Sequence, residues 1–281
     1  MTDIANRVAF ITGAGGGLGA GIARALAAEG VSLALVDINS SLLAERKAEF
    51  DELGVPCETR TIDISDAEAV NAATMDLAAC LGPISLCINN AGVGYVGAPL
   101  DEVPLRDLEW VFAVNVIGVF NCLRALAPAM RRDPRGGHIV NIASILGLRQ
   151  IASVLPYSVS KAGVIQMTKT LALEWARYSI RVNAIAPTWV RTDFIESLTA
   201  QPELMARIEA MTPMGRIAEV DEIVGGVIGA LEVGLQEAVV FEAAGAAAGD
   251  DLAEDVRPAL DVGGEHAVEM RHGHVLCGID A

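Results

Sequence analysis

The chain has 281 residues, of which 52% are hydrophobic and 20% charged, and its mean hydropathy is +0.43. That composition excludes a disordered chain, which buries too little apolar surface to fold, and the length suffices for one large α/β core. The net charge of −16 and pI near 4.6 oppose binding to the phosphates of nucleic acids.

Short β-branched runs alternate with longer helical stretches. The pattern predicts strands at 7–12, 31–36, 55–62, 84–88, 138–142 and 180–186. Helices are predicted at 17–29, from after 36 to about 53, and at 66–81, 105–131 and 157–178. Alternation at this spacing implies βαβ units with right-handed crossovers, hence an α/β, Rossmann-like, doubly wound parallel sheet of six or seven strands with helices on both faces. The run 31–36 is almost continuously apolar, as a sheet covered on both sides requires. Segment 187–213 reads as irregular or short-helical, and it follows a strand whose carboxyl end borders the ligand crevice of such a sheet.

Residues 1–231 read as one domain that includes a substrate loop at about 188–213. Residues 232–281 hold 11 acidic and 2 basic residues and no Lys, and read as a loosely ordered acidic, Ala/Gly-rich extension. Each long apolar stretch reads as cut by Asn, Gly or a charge before the ~18 residues of a membrane span, so no membrane partner is expected. The N-terminus carries Asp3 beside Arg7 and no basic leader, so no signal peptide is expected. Five cysteines, an odd number without CxxC spacing, point to free thiols in the cytoplasm rather than to disulfides or a metal site. His138 alone of the four histidines lies upstream of 266, which leaves a Ser-His-Asp hydrolase little to work with.

Thr12-Gly13-Ala14-Gly15-Gly16-Gly17-Leu18-Gly19 lies between the first strand and its helix. Glycines there let the backbone approach a pyrophosphate, and the helix N-terminus supplies amide donors. By itself such a turn is only a turn; its strand–turn–helix context makes it a dinucleotide signal. Asp37 ends the second strand, 18 residues after Gly19, where its carboxylate can accept from ribose hydroxyls and repel a 2′-phosphate. No Arg or Lys follows it within eight residues, so NAD is favoured over NADP. A helix N-cap role for Asp37 is the weaker alternative, since Asn39 and Ser40 can serve.

Tyr157 and Lys161 are four apart on a predicted helix and share a face. Lysine is scarce, at positions 47, 161 and 169 only. A neighbouring cation favours phenolate, and a tyrosine of ordinary pKa near 10 needs such help to exchange protons near neutrality. Ser144, after the fifth strand, can hydrogen-bond a substrate oxygen.

These residues, with Asp63, the Asn89-Asn90-Ala91-Gly92 run, Asn115 and Pro187, resemble in order and spacing the short-chain dehydrogenase/reductase family in its compact form, over residues 6 to about 231. The resemblance implies Tyr157 as general acid/base, Ser144 as the group orienting the carbonyl or alcohol oxygen, and Lys161 as nicotinamide-ribose ligand and modulator of Tyr157. It implies that Asn115 interrupts the long helix and holds a water in a proton relay. Gly13, Gly16, Gly17, Leu18 and Gly19 would cradle the pyrophosphate, Asp37 and Ile38 the adenosine ribose, and Asp63 and Ile64 the adenine. Asn89, Ala91 and Gly92 would contact the cofactor beyond the fourth strand, and Pro187, Val190 and Thr192 the nicotinamide amide. A homo-oligomer, dimer or tetramer, is implied through helices 105–131 and 157–178.

Two features depart from the family pattern. Pro187 is followed by Thr188 instead of glycine. About forty residues separate the last family helix from 272–277, which only faintly resembles the family's final strand, so an insertion or a shifted reading frame puts a seventh strand in doubt.

The resulting expectation is an NAD(H)-dependent oxidoreductase that interconverts a secondary alcohol and a ketone. The mostly apolar segments 145–155 and 188–213 suit a hydrophobic small molecule. A 3-oxoacyl-thioester reductase is opposed by Asp37 and by the negative charge, and a sugar or polyol dehydrogenase by the scarcity of polar groups in these segments. A non-enzymatic NADH sensor has no need to keep Ser144, Tyr157 and Lys161 together.

Overall fold

The computed structural model describes residues 4–95, 99–149, 151–196, 202–212, 214–232 and 240–243. Seven strands form one parallel sheet: β1 (Val8–Thr12), β2 (Ser32–Asp37), β3 (Cys57–Thr61), β4 (Ile84–Asn89), β5 (Gly137–Ile142), β6 (Ile180–Pro187) and β7 (Val240–Ala243). Their order is β3-β2-β1-β4-β5-β6-β7. The sheet changes winding direction between β1 and β4, and ligands bind at the carboxyl ends beside such a switch point. The helices are α1 (Gly17–Ala28), α2 (Ser40–Glu52), α3 (Ala67–Leu81), α4 (Leu105–Phe112), α5 (Val119–Met130), α6 (Leu155–Trp175), α7 (Pro202–Met211) and α8 (Val220–Glu232).

Alternation along the central strands divides the core into two layers. Ala9 and Ile11 of β1, with Leu33 and Leu35 of β2, pack against Ile22 and Leu26 of α1 and Val227 of α8. Val8 and Phe10, with Ala34 and Val36, face the opposite way, toward Leu77 of α3, Leu126 of α5 and Val164 of α6. Successive side chains of a strand point to opposite faces, so a sheet covered by helices on both sides must be apolar throughout.

Two expectations need correction. Residues 105–130 form a helical run of 26 residues that contains an 18-residue window of mean hydropathy 1.6, long and apolar enough by composition to cross a membrane. Half of that window is buried, and Val119, Leu123, Leu126 and Met130 pack into the sheet, which accounts for its apolar character. The second correction is β7. It pairs with β6 in parallel, Ala184 opposite Val240 through Pro187 opposite Ala243, well before the stretch expected to hold a last strand. That stretch, 272–277, lies outside the described residues.

The run also breaks where the family pattern implies. Residues Ala113–Gly118 form a π-helical turn between α4 and α5, with Asn115 inside it. Such turns arise where side chains compete with the regular backbone ladder.

Candidate active site

The crevice at the carboxyl ends of the strands holds about 290 Å³, close to the lower bound for ligand pockets. One end is lined by Gly13, Leu18, Asp37, Ile38, Asp63 and Ile64, and the middle by Asn90, Ala91, Gly92 and Pro187. Ser144, Tyr157, Lys161 and Val190 line it too, and Thr192 lines it beside Gly17, where a Cβ would stand 3.5 Å from it. One continuous opening therefore joins the glycine turn to the Tyr157 face of α6.

The glycine turn is built from backbone that only glycine adopts easily. Gly13 and Gly17 have φ of +62° and +52°. A Cβ on Gly19 would stand 2.0 Å from the Gly13 carbonyl oxygen, so the turn and the helix start are in direct contact. Gly16 differs: a Cβ there would meet only Leu42, at 3.8 Å, which leaves its outer side open. Gly16 is the N-cap of α1, no side chain caps that helix end, and its first turn holds no acidic residue. An uncapped helix N-terminus beside an open glycine is a cradle for phosphate oxygens, so the residues present fit a dinucleotide.

Asp37 ties this turn to the end of β2. One carboxylate oxygen accepts from the Gly15 amide and the other from the Asn39 amide, both at 2.9 Å. Asn39, not Asp37, caps α2, accepting from the Ser41 and Leu42 amides. Asp63, Ile64 and the half-exposed Ile38 stand along the same end.

The Asn89-Asn90 pair divides differently from the implied roles. Asn89 is 2% exposed, and its Nδ2 donates to Asn141 Oδ1 at 2.8 Å inside the sheet. It does not line the crevice. Asn90 does, and its Nδ2 donates to the Thr12 and Gly13 carbonyls, both at 3.0 Å, locking β4 to the glycine turn. Neighbouring residues at a strand end point to opposite sides, so the motif alone leaves open which of the two asparagines faces the crevice.

Tyr157 and Lys161 lie on the first turns of α6, with Pro156 at the helix start. Ser144 follows β5, is nearly buried, accepts from the Leu146 amide at 3.2 Å, and stands close enough to the Tyr157 phenol to favour its charged form. Lys161 Nζ is 5.7 Å from the Tyr157 ring centroid and donates to the Ile142 carbonyl at 2.8 Å. The expectation that Lys161 depresses the Tyr157 pKa is not met in this geometry. Burial pushes the phenol up to about 12, with Ser144 pulling the other way. Burial also lowers Lys161 to about 8. Both groups share a water-poor pocket in which charging either one is costly, and burial is the leading cause of both shifts.

Asn115 is fully buried and does not line the crevice. Its Oδ1 accepts from the Val93 amide at 2.8 Å, while its Nδ2 donates to the Val93 carbonyl at 2.9 Å and to Ser160 Oγ at 3.0 Å. Both amide hydrogens are therefore engaged, and the side chain clamps the loop after β4 instead of reaching outward. Beyond Tyr157 the lining is apolar and aromatic. Trp189 and Phe194 lie on the expected loop, and Phe194 stands 6.5 Å from the Tyr157 ring, centroid to centroid. Tyr95 and Trp110 line it too. The sequence reading missed both, because Trp110 sits in a helix whose orientation toward the crevice is a tertiary fact. Thr188 also lines the opening, and its segment is held by hydrogen bonds between Ala218 and the backbones of Trp189 and Arg191.

Residues 7–203 match the family model described as short chain dehydrogenase. A galactitol 2-dehydrogenase (L-tagatose-forming) of Cereibacter sphaeroides is 41% identical over 223 residues, covering 76% of this chain and 84% of that protein. The crystal structure of an NAD+-bound xylitol dehydrogenase superposes with a TM-score of 0.78 at 30% identity, over 86% of this chain and 99% of that one. A gluconate 5-dehydrogenase from Burkholderia cenocepacia, in complex with NADP and tartrate, superposes with a TM-score of 0.79 at 30% identity, over 85% and 94% of the two chains.

Proposed function

The chain belongs to the short-chain dehydrogenase family, oxidoreductases that act on CH–OH groups with nicotinamide dinucleotides, and on that premise we propose that it interconverts a secondary alcohol and a ketone using NAD(H). The observation that carries the reading is the single crevice shared by Asp37, the glycine turn, Ser144, Tyr157 and Lys161.

The bound dinucleotide supplies the hydride acceptor or donor. The protein's part is to orient the substrate and to move one proton. In the reducing direction the protonated Tyr157 phenol gives its proton to the carbonyl oxygen as that oxygen gains charge. In the oxidising direction the phenolate takes the alcohol proton. Ser144 holds the same oxygen by a hydrogen bond, and Lys161, buried beside the phenol, would hold the nicotinamide ribose. Gly13, Leu18 and the uncapped start of α1 would hold the pyrophosphate, and Asp37 the adenosine ribose.

The preference for NAD is supported by the Asp37 carboxylate. Lys161 is the one cationic side chain among the described lining residues, and its ammonium is bonded to the Ile142 carbonyl, whereas Asp37 holds the Gly15 and Asn39 amides. A ribose 2′-phosphate beside Asp37 would meet like charge without a compensating cation. Assembly with further copies of the chain belongs to the same proposal, supported by the exposed Ile117, Phe120 and Val159 along the π-turn, α5 and α6.

A second reading, polyol oxidation, is favoured by the 41% identity to the galactitol dehydrogenase. Trp110, Trp189, Phe194, Ile195 and Leu204 at the substrate end favour a less hydroxylated molecule, since each buried hydroxyl left without a partner weakens binding. Assays of polyols, aliphatic alcohols and aryl or cyclic ketones with NAD and NADP in parallel separate the two. Tyr157→Phe is expected to abolish turnover while retaining dinucleotide binding. Tight NADH binding with no turnover of any alcohol or ketone would instead identify a sensor.

A further inference from the structure

Ser160 precedes Lys161 on α6 and is fully buried, although it carries a hydroxyl. Its Oγ donates to the Tyr157 carbonyl at 2.7 Å and accepts from Asn115 Nδ2 at 3.0 Å. Asn115 is itself clamped to both backbone groups of Val93. A Cβ on Gly92 would stand 3.2 Å from Asn115 Oδ1 and 3.3 Å from Lys161 Nζ. The loop after β4, the π-turn and the first turns of α6 thus meet where no volume is spare, and the Ser160 hydroxyl hydrogen-bonds across that junction.

We propose that Ser160 is a positioning residue, which acts through Asn115 to fix the turn bearing Tyr157 and Lys161 against the loop of Gly92 and Val93. The inference rests on the catalytic roles given above to Tyr157 and Lys161. Its physical basis is direction. The hydroxyl donates back to the Tyr157 carbonyl within α6, which aims its lone pair at the π-turn, where it accepts from Asn115; removing it leaves a buried Asn115 N–H without its acceptor. Asn115 then keeps only its bonds to Val93, and the face of α6 that carries the phenol and the ammonium loses its tie to that loop. Errors of about 1 Å in such placement cost on the order of a hundredfold in rate.

The test compares Ser160→Ala with Thr168→Val. Thr168 is a second fully buried hydroxyl on α6, bonded to Asn141 and to the Val164 carbonyl and remote from the catalytic turn. Ser160→Ala is expected to lower kcat by roughly ten- to a hundredfold and to move the pH profile of kcat, with the KM for dinucleotide within about threefold. In protein without dinucleotide, hydrogen exchange of the Val93 amide is expected to accelerate about tenfold or more, because its acceptor Asn115 is no longer anchored to α6. Thr168→Val is expected to lower the melting temperature but to leave the Val93 exchange and the pH profile as they are. Ser160→Cys keeps the side-chain shape with a somewhat larger sulfur and lacks a strong donor, so it gives the same shifts should the alanine variant not fold. Unchanged Val93 exchange and an unchanged pH profile in a folded Ser160 variant would overturn the proposal, as would equal effects from Thr168→Val. A wild-type protein that turns over no alcohol or ketone with either dinucleotide would sink the catalytic reading, and the inference with it.

Discussion

Lys161 Nζ donates to the carbonyl of Ile142, the last residue of β5, at 2.8 Å, and the lysine is only 5% exposed. The bond ties the catalytic helix to the strand that precedes Ser144, and it places an ammonium where water is scarce. Burial lowers Lys161 from 10.5 to about 8, so the folded state holds this proton less tightly than the unfolded chain does. The cost of burying the charge is fully present below pH 8 and disappears as pH rises from 8 toward 10.5. Relative to a Lys161→Met variant, the wild-type protein should therefore gain about 2 kcal/mol of stability between pH 7 and pH 9.5. Tyr157 contributes in the opposite sense only above pH 10, because its raised pKa makes the folded state bind the proton more tightly. Urea unfolding of both proteins at the two pH values measures the difference, and parallel pH dependences would refute the assignment.

The glycine turn gives a contrast between two positions three residues apart. Gly19→Ala places a methyl 2.0 Å from the Gly13 oxygen and 2.7 Å from Asn90 Nδ2, so the turn must open. A loss of about 2–4 kcal/mol is expected, together with loss of dinucleotide binding. Gly16→Ala meets only Leu42 at 3.8 Å and should change stability by less than about 1 kcal/mol. Its methyl stands on the open side of the cradle, so it should still weaken NADH binding. Thermal unfolding and NADH fluorescence titration of both variants separate packing from ligand approach.

Asp37 has a structural duty as well as a proposed selective one, since its two oxygens hold the Gly15 and Asn39 amides. Asp37→Ser keeps a short acceptor and removes the charge. The expected result is a rise of about tenfold or more in kcat/KM for NADP relative to NAD, from loss of like-charge repulsion against the 2′-phosphate. A ratio that does not move would place cofactor selection elsewhere.

Local features of the site were readable from sequence because their geometry is set by short spacings. Tyr157 and Lys161 share a face by helical periodicity, and the 12–19 turn falls between a strand and a helix whose boundaries the apolar pattern marks. What sequence did not reveal depends on contacts between elements. Lys161 is held by a carbonyl on another strand, and that burial, not the Tyr–Lys spacing, decides both pKa shifts. Tyr95 and Trp110 reach the crevice only because of how their segments pack over it. Strand β7 was hidden because four residues in an acidic, Ala-rich stretch carry little periodicity, whereas the open edge of β6 offers a template for pairing.

Asn89 separates a sheet residue from a cofactor ligand most directly. Its side chain donates to Asn141, which donates onward to Thr168, so three polar groups cross from β4 through β5 to α6 in the buried core. Asn89→Ala leaves Asn141 Oδ1 buried without its donor, and about 1–3 kcal/mol of stability should be lost. Asn90→Ala breaks the two bonds to the glycine turn and alters the crevice wall itself. The dissociation constant for NADH should therefore rise in Asn90→Ala by about tenfold, while in Asn89→Ala it stays within about twofold at a temperature where the protein remains folded. Equal weakening in both variants, or weakening confined to Asn89→Ala, would return Asn89 to the cofactor contacts that the family motif implies.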